Sequence, residues 1–498
     1  MMDDEQRRAA QALLRKQVAR VPAVISLGKL FTEAGQELAL VGGPVRDVFL
    51  GQQPGDLDLT TSAPPELVLS LVDGWADAVW TVGIAFGTVG VRKGDEIFEI
   101  TTYRSEQYSQ KSRKPDVVYG SSLEEDLSRR DFTINAMAAR LPGCEFVDPF
   151  GGLDALRARE LRTPGAAVDS FSDDPLRILR AARFAAKLGL SVAADVRAAM
   201  TEMTPRLEIV SAERITAELS KLMLTPDPVA GLDLLVQTEV ADVILPEISK
   251  LRMEVDEHHR HKDVYEHSLT VLRQAIDLEP RYGLQGDLVV RLAAILHDIG
   301  KPRTRTPLPG GKVAFHHHEV VGAKMARKRL AALRFPNDVV RDVSTLVELH
   351  LRFHGYGSQG VDRGGSGASS PPEQQSEWTD SAVRRYVRDA GPLLDRLHVL
   401  TRADCTTRNV RKAERLARAY DSLEARIAEL REQEELDKIR PDLDGNEIMT
   451  LLGLRPGPAV GKAYNYMLEL RMAEGELGKE RATAELLRWA AAEGLLSQ

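Results

Sequence analysis

Asp56 and Asp58 lie one residue apart in the stretch LVGGPVRDVFLGQQPGDLDLTTS, from Leu40 to Ser62. On a strand they point to the same face, because side chains alternate with period two. Two carboxylates on one face repel each other unless a cation sits between them. Oxygen ligands close to a phosphate suit Mg²⁺. A third carboxylate from a neighbouring strand would complete such a site. Glu99 is the candidate, because Phe98 and Ile100 flank it as the apolar face. Gly42 and Gly43 end a strand just before PVRDVFLG, which reads as a helix. Backbone N–H groups at such a start can face phosphate oxygens, and Arg46 in the first turn would add a charge-assisted contact. Taken singly, a Gly-Gly turn or an Asp-x-Asp is more often structural, and Glu99 alone reads as an exposed strand residue. The stretch from Leu40 to Ser62 holds neither a Walker lysine motif nor GxGxxG, which sets aside a P-loop and a dinucleotide-binding turn there.

A second set of chemical groups lies further on. All eleven histidines fall between His258 and His398, so the chain before them has no imidazole to offer. AAILHDIGKP places His297 and Asp298 side by side on what reads as a helix. His267, His316 to His318, His350 and Asp404 surround that pair in sequence. Imidazole with carboxylate suits borderline or harder divalent metals. The alternative is histidines satisfied by local hydrogen bonds.

These groups need elements to hold them. The chain has 498 residues, 43% hydrophobic and 28% charged, and is long enough for two to four domains. Strand signals are confined to the first 165 or so residues: LALVG, GTVGVRK, EIFEITTY and EFVDPF, with helices between them. From Ser172 onward the pattern is helical. DPLRILRAARFAAKLG opens with Asp and Pro and ends in Gly, and SAERITAELSKLML opens with Ser. GYGSQGVDRGGSGASSPPEQQSE reads as a disordered surface loop. The two cysteines, Cys144 and Cys405, allow no disulfide framework or cysteine-based zinc site, which suits a reducing cytosol. The N-terminus has no apolar signal core, and no apolar run is long enough for a membrane span. A net charge of -8 argues only weakly against nucleic-acid binding, because basic residues gather locally in RILRAARFAAK and YRSEQYSQKSRK.

GGPVRDVFLG, GDLDLTTSA, EITTYR, SRRDFTINAMA, DPFGG, DDPLRILRAARFAAKLG and SAERITAEL occur in that order. Together they resemble the class II tRNA nucleotidyltransferases, the bacterial CCA-adding enzyme and poly(A) polymerase family. The resemblance implies an α+β, polymerase-β-like nucleotidyltransferase head over residues 1–165. An all-α neck follows over 166–255, then an HD metal-dependent phosphohydrolase-like domain over 256–430 with a disordered loop near 357–378. A helical tail over 431–498 would contact tRNA. The implied reaction is attack by an RNA 3′-hydroxyl on the α-phosphate of a nucleotide. Asp56, Asp58 and Glu99 would hold Mg²⁺, Gly42, Gly43, Arg46 and Arg130 would serve the triphosphate, and Asp131 would lie near the ribose.

Arg177, Arg180 and Arg183 are spaced by three and share one helix face, with Asp174 three residues before. The plain reading is an i,i+3 ion pair. The functional one uses base edges. Cytosine and adenine both offer an amino donor beside a ring-nitrogen acceptor, while guanine and uracil present the reverse. An Asp174 acceptor beside an Arg177 donor matches C and A and leaves buried groups unpaired with G and U. Arg180 and Arg183 would then meet phosphate or the adjacent base. Asp173 stands where the family pattern usually has Glu.

The histidine region resembles the His-Asp (HD) phosphohydrolase domain. That resemblance implies His267, His297, Asp298 and Asp404 as ligands of an unidentified divalent metal, with His318 and His350 serving a second. The expected function is CCA addition to the 3′ end of tRNA from CTP and ATP, without a nucleic-acid template, in the cytoplasm and away from membranes. tRNA would be gripped along its acceptor and T arms. The alternatives are a poly(A) polymerase of the same family and a phosphohydrolase with an RNA-binding head.

Overall fold

Leu38–Val41 (β1), Leu57–Thr61 (β2), Ala78–Trp80 (β3), Thr88–Lys93 (β4), Glu96–Thr102 (β5), Ala138–Arg140 and Glu145–Val147 build the sheet that carries Asp58 and Glu99. The computed structural model describes residues 4–53, 57–107, 116–120, 122–253, 263–309, 313–353, 378–407, 409–434 and 440–495. Asp56 and all but the last residue of the expected loop at 357–378 therefore lie outside the described residues.

The sheet has seven strands, in the order β3, β4, β5, β2, β1, then Ala138–Arg140 and Glu145–Val147. β2 and β5 run parallel, and the other neighbouring pairs are antiparallel. Period-two alternation is plain in β5, where Phe98 and Ile100 are fully buried and Glu99 is exposed. Phe98 and Ile100 join Leu40, Leu59, Val68 and the helix residues Leu27, Phe31 and Val45 in one apolar core. The expected strands are all present, with additions the pattern did not announce. A hairpin pairs Arg104–Gln107 with Asp116–Tyr119.

The chain divides into two compact units, Met1–Ser249 and Lys250–Gln498. Besides the sheet, the first unit carries the helices Arg177–Leu188, Ala212–Met223 and Pro228–Gln237. Gly189 closes the first of these in the left-handed region. Ser211 caps the second by accepting from the Arg214 N–H. Ser191–Val192, inside the stretch expected to be all-helical, is a short strand that pairs in parallel with Glu160–Leu161.

The second unit is built from the helices Val264–Leu278, Leu288–Leu296, His318–Ala332, Asn337–Leu349, Asp380–Ala390, Leu394–Ala403 and Val410–Glu434. Gly445–Leu452, Pro458–Glu474 and Lys479–Ala492 follow, with a small core of their own around Ile448, Met467 and Leu486. Asp444 opens this last group with a reciprocal cap to Glu447. Among the described residues no helix is long and apolar enough to cross a membrane.

Candidate active site and metal centre

Asp58 on β2 sits in direct register with Glu99 on β5. Register partners on parallel strands project to the same face, so these two carboxylates stand side by side, away from the apolar core. That donor set fits a divalent cation with oxygen preference. At the end of β1 the chain turns through Gly42, whose φ of 72° is one L side chains rarely adopt. A Cβ there would also stand 3.1 Å from Nη1 of Arg130. Glycine at this position lets Arg130 close on the turn. Gly43 then opens the helix Gly43–Phe49 that carries Arg46.

Arg46 is buried. Its Nε and Nη2 donate to Asp47, and its Nη1 donates to Oδ1 of Asn135 at 2.6 Å. Asn135 Nδ2 in turn donates to Asp131 Oδ1 at 3.0 Å. Asp131 also accepts from the Phe132 N–H and, through Oδ2, from Arg180 Nε and Nη2 at 2.8 and 2.5 Å. Burial works to raise the Asp131 pKa, but the Arg180 charge and the Asn135 bond hold it below the usual carboxylate range. Asp126 is buried between Arg129 and Arg130 and is held low by their charges against the opposing effect of burial.

The base-edge pair needs a correction. Asp174 does not continue the helix face of Arg177, Arg180 and Arg183. The helix starts at Arg177, and Asp174 is extended at φ -139° and ψ 100°. Pro175 imposes this, because its ring clashes with a helical residue before it. Asp174 Oδ1 instead accepts from the Leu176 N–H, and Oδ2 pairs with Arg214 at 2.8 Å. The Arg177 guanidinium turns to Ser170 and to the carbonyl of Arg129. Arg180 and Arg183 both reach Glu218, a buried carboxylate of the helix Ala212–Met223.

The histidine cluster assembles in the second unit. His297 and Asp298 lie just past the end of Leu288–Leu296 and not within a helix; His350 and Asp404 cap the ends of two others. Four imidazoles are anchored by Nδ1: His297 donates to the Ala294 carbonyl, His318 to Phe315 and His350 to Val347, while His267 bonds Thr406 Oγ1. That turns the four Nε2 atoms toward one another and toward Asp298 and Asp404, the arrangement metal-ligating histidines take when a second group fixes the tautomer. His267 Nε2 is 2.9 Å from Asp404 and 3.2 Å from His297 Nε2. Asp298 spans the centre. Its Oδ2 lies 3.2 Å from His297 and its Oδ1 3.3 Å from His318. Two groups result, His267–His297–Asp404 and Asp298–His318–His350, each with donor atoms close enough for one cation.

The electrostatics support a cation site. Burial alone would lower the His297 pKa, yet Asp298 and Asp404 raise it to about 10. His350 is pushed down to about 3 by burial and by the charge of His297, and its buried Nε2 has no hydrogen-bond partner. The pocket attracts positive charge and still leaves a nitrogen lone pair unused, as a divalent ligand set does. Lys301 Nζ, 2.8 Å from Asp298 Oδ2, supplies part of that charge. His316 and His317 stay exposed. Thr406, Lys301, Asn135 and Glu218 were not reached from sequence. Thr406, Asn135 and Glu218 act through contacts distant in the chain, which no spacing marks, and the i,i+3 step from Asp298 to Lys301 is too common to single that lysine out.

A carboxylate-bearing nucleotidyltransferase head joined in one chain to an HD-type metal centre is the class these geometries define. Residues 38–162 match the Poly A polymerase head domain, 189–251 the Probable RNA and SrmB- binding site of polymerase A, and 264–409 the HD domain. The chain is 32% identical over 461 residues to an A-adding tRNA nucleotidyltransferase of Deinococcus radiodurans, covering 91% of this chain and 95% of the relative. It is 32% identical over 462 residues to a CC-adding tRNA nucleotidyltransferase of Thermus thermophilus, covering 90% and 93%. A CCA-adding enzyme of Anoxybacillus flavithermus is 40% identical over 222 residues, covering 44% of this chain and 54% of that one. The solved CCA-adding enzyme of Bacillus stearothermophilus in complex with CTP aligns with a TM-score of 0.58 at 25% identity, over 94% of this chain and 97% of that one. The chain belongs to the tRNA nucleotidyltransferase family.

Proposed function

We propose that this protein adds C, C and A to the 3′ end of tRNA from CTP and ATP. The observation that carries the reading is the register of Asp58 with Glu99, which brings two carboxylates together beside the Gly42–Gly43 turn. The RNA 3′-oxygen forms a bond to the α-phosphorus, and the bond from that phosphorus to the pyrophosphate oxygen breaks. Asp56, Asp58 and Glu99 are the groups to hold Mg²⁺, which when bound lowers the pKa of the attacking hydroxyl and neutralises the leaving charge. Gly42, Gly43, Arg46 and Arg130 take the triphosphate. Asp131 accepts from the ribose 2′-hydroxyl and keeps Arg180 as its counter-ion. Asp174 and Arg177 read the base edge once the nucleotide displaces their present partners, and Arg183 meets phosphate or the adjacent base.

We assign residues 1–165 to the catalytic head, 166–255 to the neck, 256–430 to the HD domain and 431–498 to a tRNA-contacting tail, acting in the cytoplasm. The HD residues His267, His297, Asp298, Asp404, His318 and His350 would hold divalent metal for phosphoester hydrolysis. A second reading, addition of A alone or of C alone, draws on the names of the two relatives that span nearly the whole chain. Offering each nucleotide singly to a tRNA that lacks its 3′ end tests the proposal. CTP should be incorporated first and UTP and GTP rejected. Incorporation of ATP alone, in long runs on any RNA, would defeat it.

A further inference from the structure

Three guanidiniums sit over one aromatic ring. Arg46, Arg180 and Arg183 lie 5.5, 5.4 and 4.4 Å from the centroid of Phe184. Phe184 is buried, and its ring meets Phe132 edge to face at 5.8 Å. The three cations come from two places in the chain. Arg46 belongs to the short helix after the Gly-Gly turn. Arg180 and Arg183 belong to the helix Arg177–Leu188, on which Phe184 also lies. Like charges so close repel unless anions and a shared π face offset them.

The offset is ordered as a chain of alternating charge. Asp47 pairs with Arg46, Asp131 with Arg180, and Glu218 with Arg180 and Arg183. One link is neutral. Asn135 accepts from Arg46 through Oδ1 and donates to Asp131 through Nδ2. A carboxamide presents an acceptor and a donor on opposite corners, so it suits a position between a cation and an anion. A carboxylate there would be repelled by Asp131, and an ammonium by Arg46. Asn135 is buried, so the link is made in a poorly screened setting where bonds reinforce one another.

We propose that Asn135 is a positioning residue, joining Arg46 to Arg180 through Asp131 over the Phe184 ring, so that seating of the correct base also seats the arginine that holds phosphate. This deepens the nucleotidyl-transfer reading and rests on it. A base that matches the Asp174–Arg177 region leaves Arg180 in line and the chain taut through to Arg46. A mismatched base pulls the helix residue out of line, and the phosphate contact weakens with it. Selectivity then exceeds what the base edge alone supplies.

The test is nucleotide affinity without turnover. Dissociation constants of CTP and UTP with Mg²⁺ are measured by calorimetry on the full chain, for wild type, Asn135→Ala and Phe184→Leu. The CTP-over-UTP ratio should fall about tenfold in both variants, chiefly through weaker CTP binding, with UTP little changed. Equal weakening of CTP and UTP, or an unchanged ratio in both, overturns the proposal. Thermal melting of each variant checks folding. If Asn135→Ala does not fold, Phe184→Leu, which keeps apolar volume and removes the π face, decides the matter alone. Incorporation by the wild type tests the underlying function separately, so absent turnover with a ratio that still collapses would sink that reading and leave only the coupling of base to phosphate in nucleotide binding.

Discussion

Gly300 is the residue on which the second metal group depends. A Cβ at this position would stand 2.1 Å from the His318 carbonyl oxygen and 2.7 Å from the Gly322 nitrogen, both backbone atoms. The closer approach falls short of the 3.4 Å at which ordinary contact begins by about 1.3 Å. Neither atom can swing away as a side-chain tip would. Gly300→Ala must therefore push the helix His318–Ala332 outward by a distance of that order. His318 Nε2 is 3.3 Å from Asp298 Oδ1, so the same displacement takes it out of reach of a shared ion. Overpacking of this kind costs about 1–3 kcal/mol. For a unit of some 250 residues, that is a fall in melting temperature of about 2–6 °C. The assay is metal content after exhaustive dialysis against Mn²⁺ buffer, with melting scans alongside. Gly300→Ala should keep the ion of His267, His297 and Asp404 and lose the one at Asp298, His318 and His350. An unchanged melting temperature with full metal content would show that the packing argument is wrong.

Other outcomes follow from the same geometry. Asp58→Ala should lower nucleotide incorporation by about 10³-fold or more, the scale of a lost metal ligand. It should barely move the melting temperature, since Asp58 lies off the apolar core; near wild-type turnover would remove the carboxylate pair from the mechanism. Asp174→Asn replaces a pure acceptor with a group that can also donate, so the preference for CTP over UTP should drop about 10- to 100-fold in competition assays. Preserved selectivity would free Asp174 from base reading. His398 is buried between Tyr282 and Tyr386, near Glu424 and Arg402, and burial lowers its pKa to about 4. Its folded value lies below the unfolded one, so the unfolded chain binds more protons between about pH 4 and 6.5. Stability is full above that window and falls as pH drops through it, by about 3 kcal/mol at most. His398→Phe should flatten this part of the urea midpoint profile between pH 7 and 4.5, and equal acid sensitivity in both proteins would place the cause elsewhere.

What could be read from sequence follows locality. Glu99 was legible because Phe98 and Ile100 announce the alternation of a half-buried strand, and the helix ends at Gly189 and Ser211 follow cap chemistry. The histidine cluster was reached by residue type and by resemblance. What escaped was tertiary. Asp174 lost its expected helix face because Pro175 restricts it. Asn135 shows its role only once the Arg46 and Arg177–Leu188 helices meet. Thr406 and Gly300 matter through single contacts with His267 and His318, which no spacing rule encodes. The fold class depended on strand periods and came through, while the partners of buried arginines depended on packing and did not.

The most direct test is to sequence the 3′ ends of a tRNA truncated at its discriminator base after incubation with this protein, Mg²⁺, CTP and ATP together. The account predicts that ends gain C, C and A and then stop. Ends that halt after two C residues, gain A only on tRNA already ending in CC, or grow without limit would contradict it.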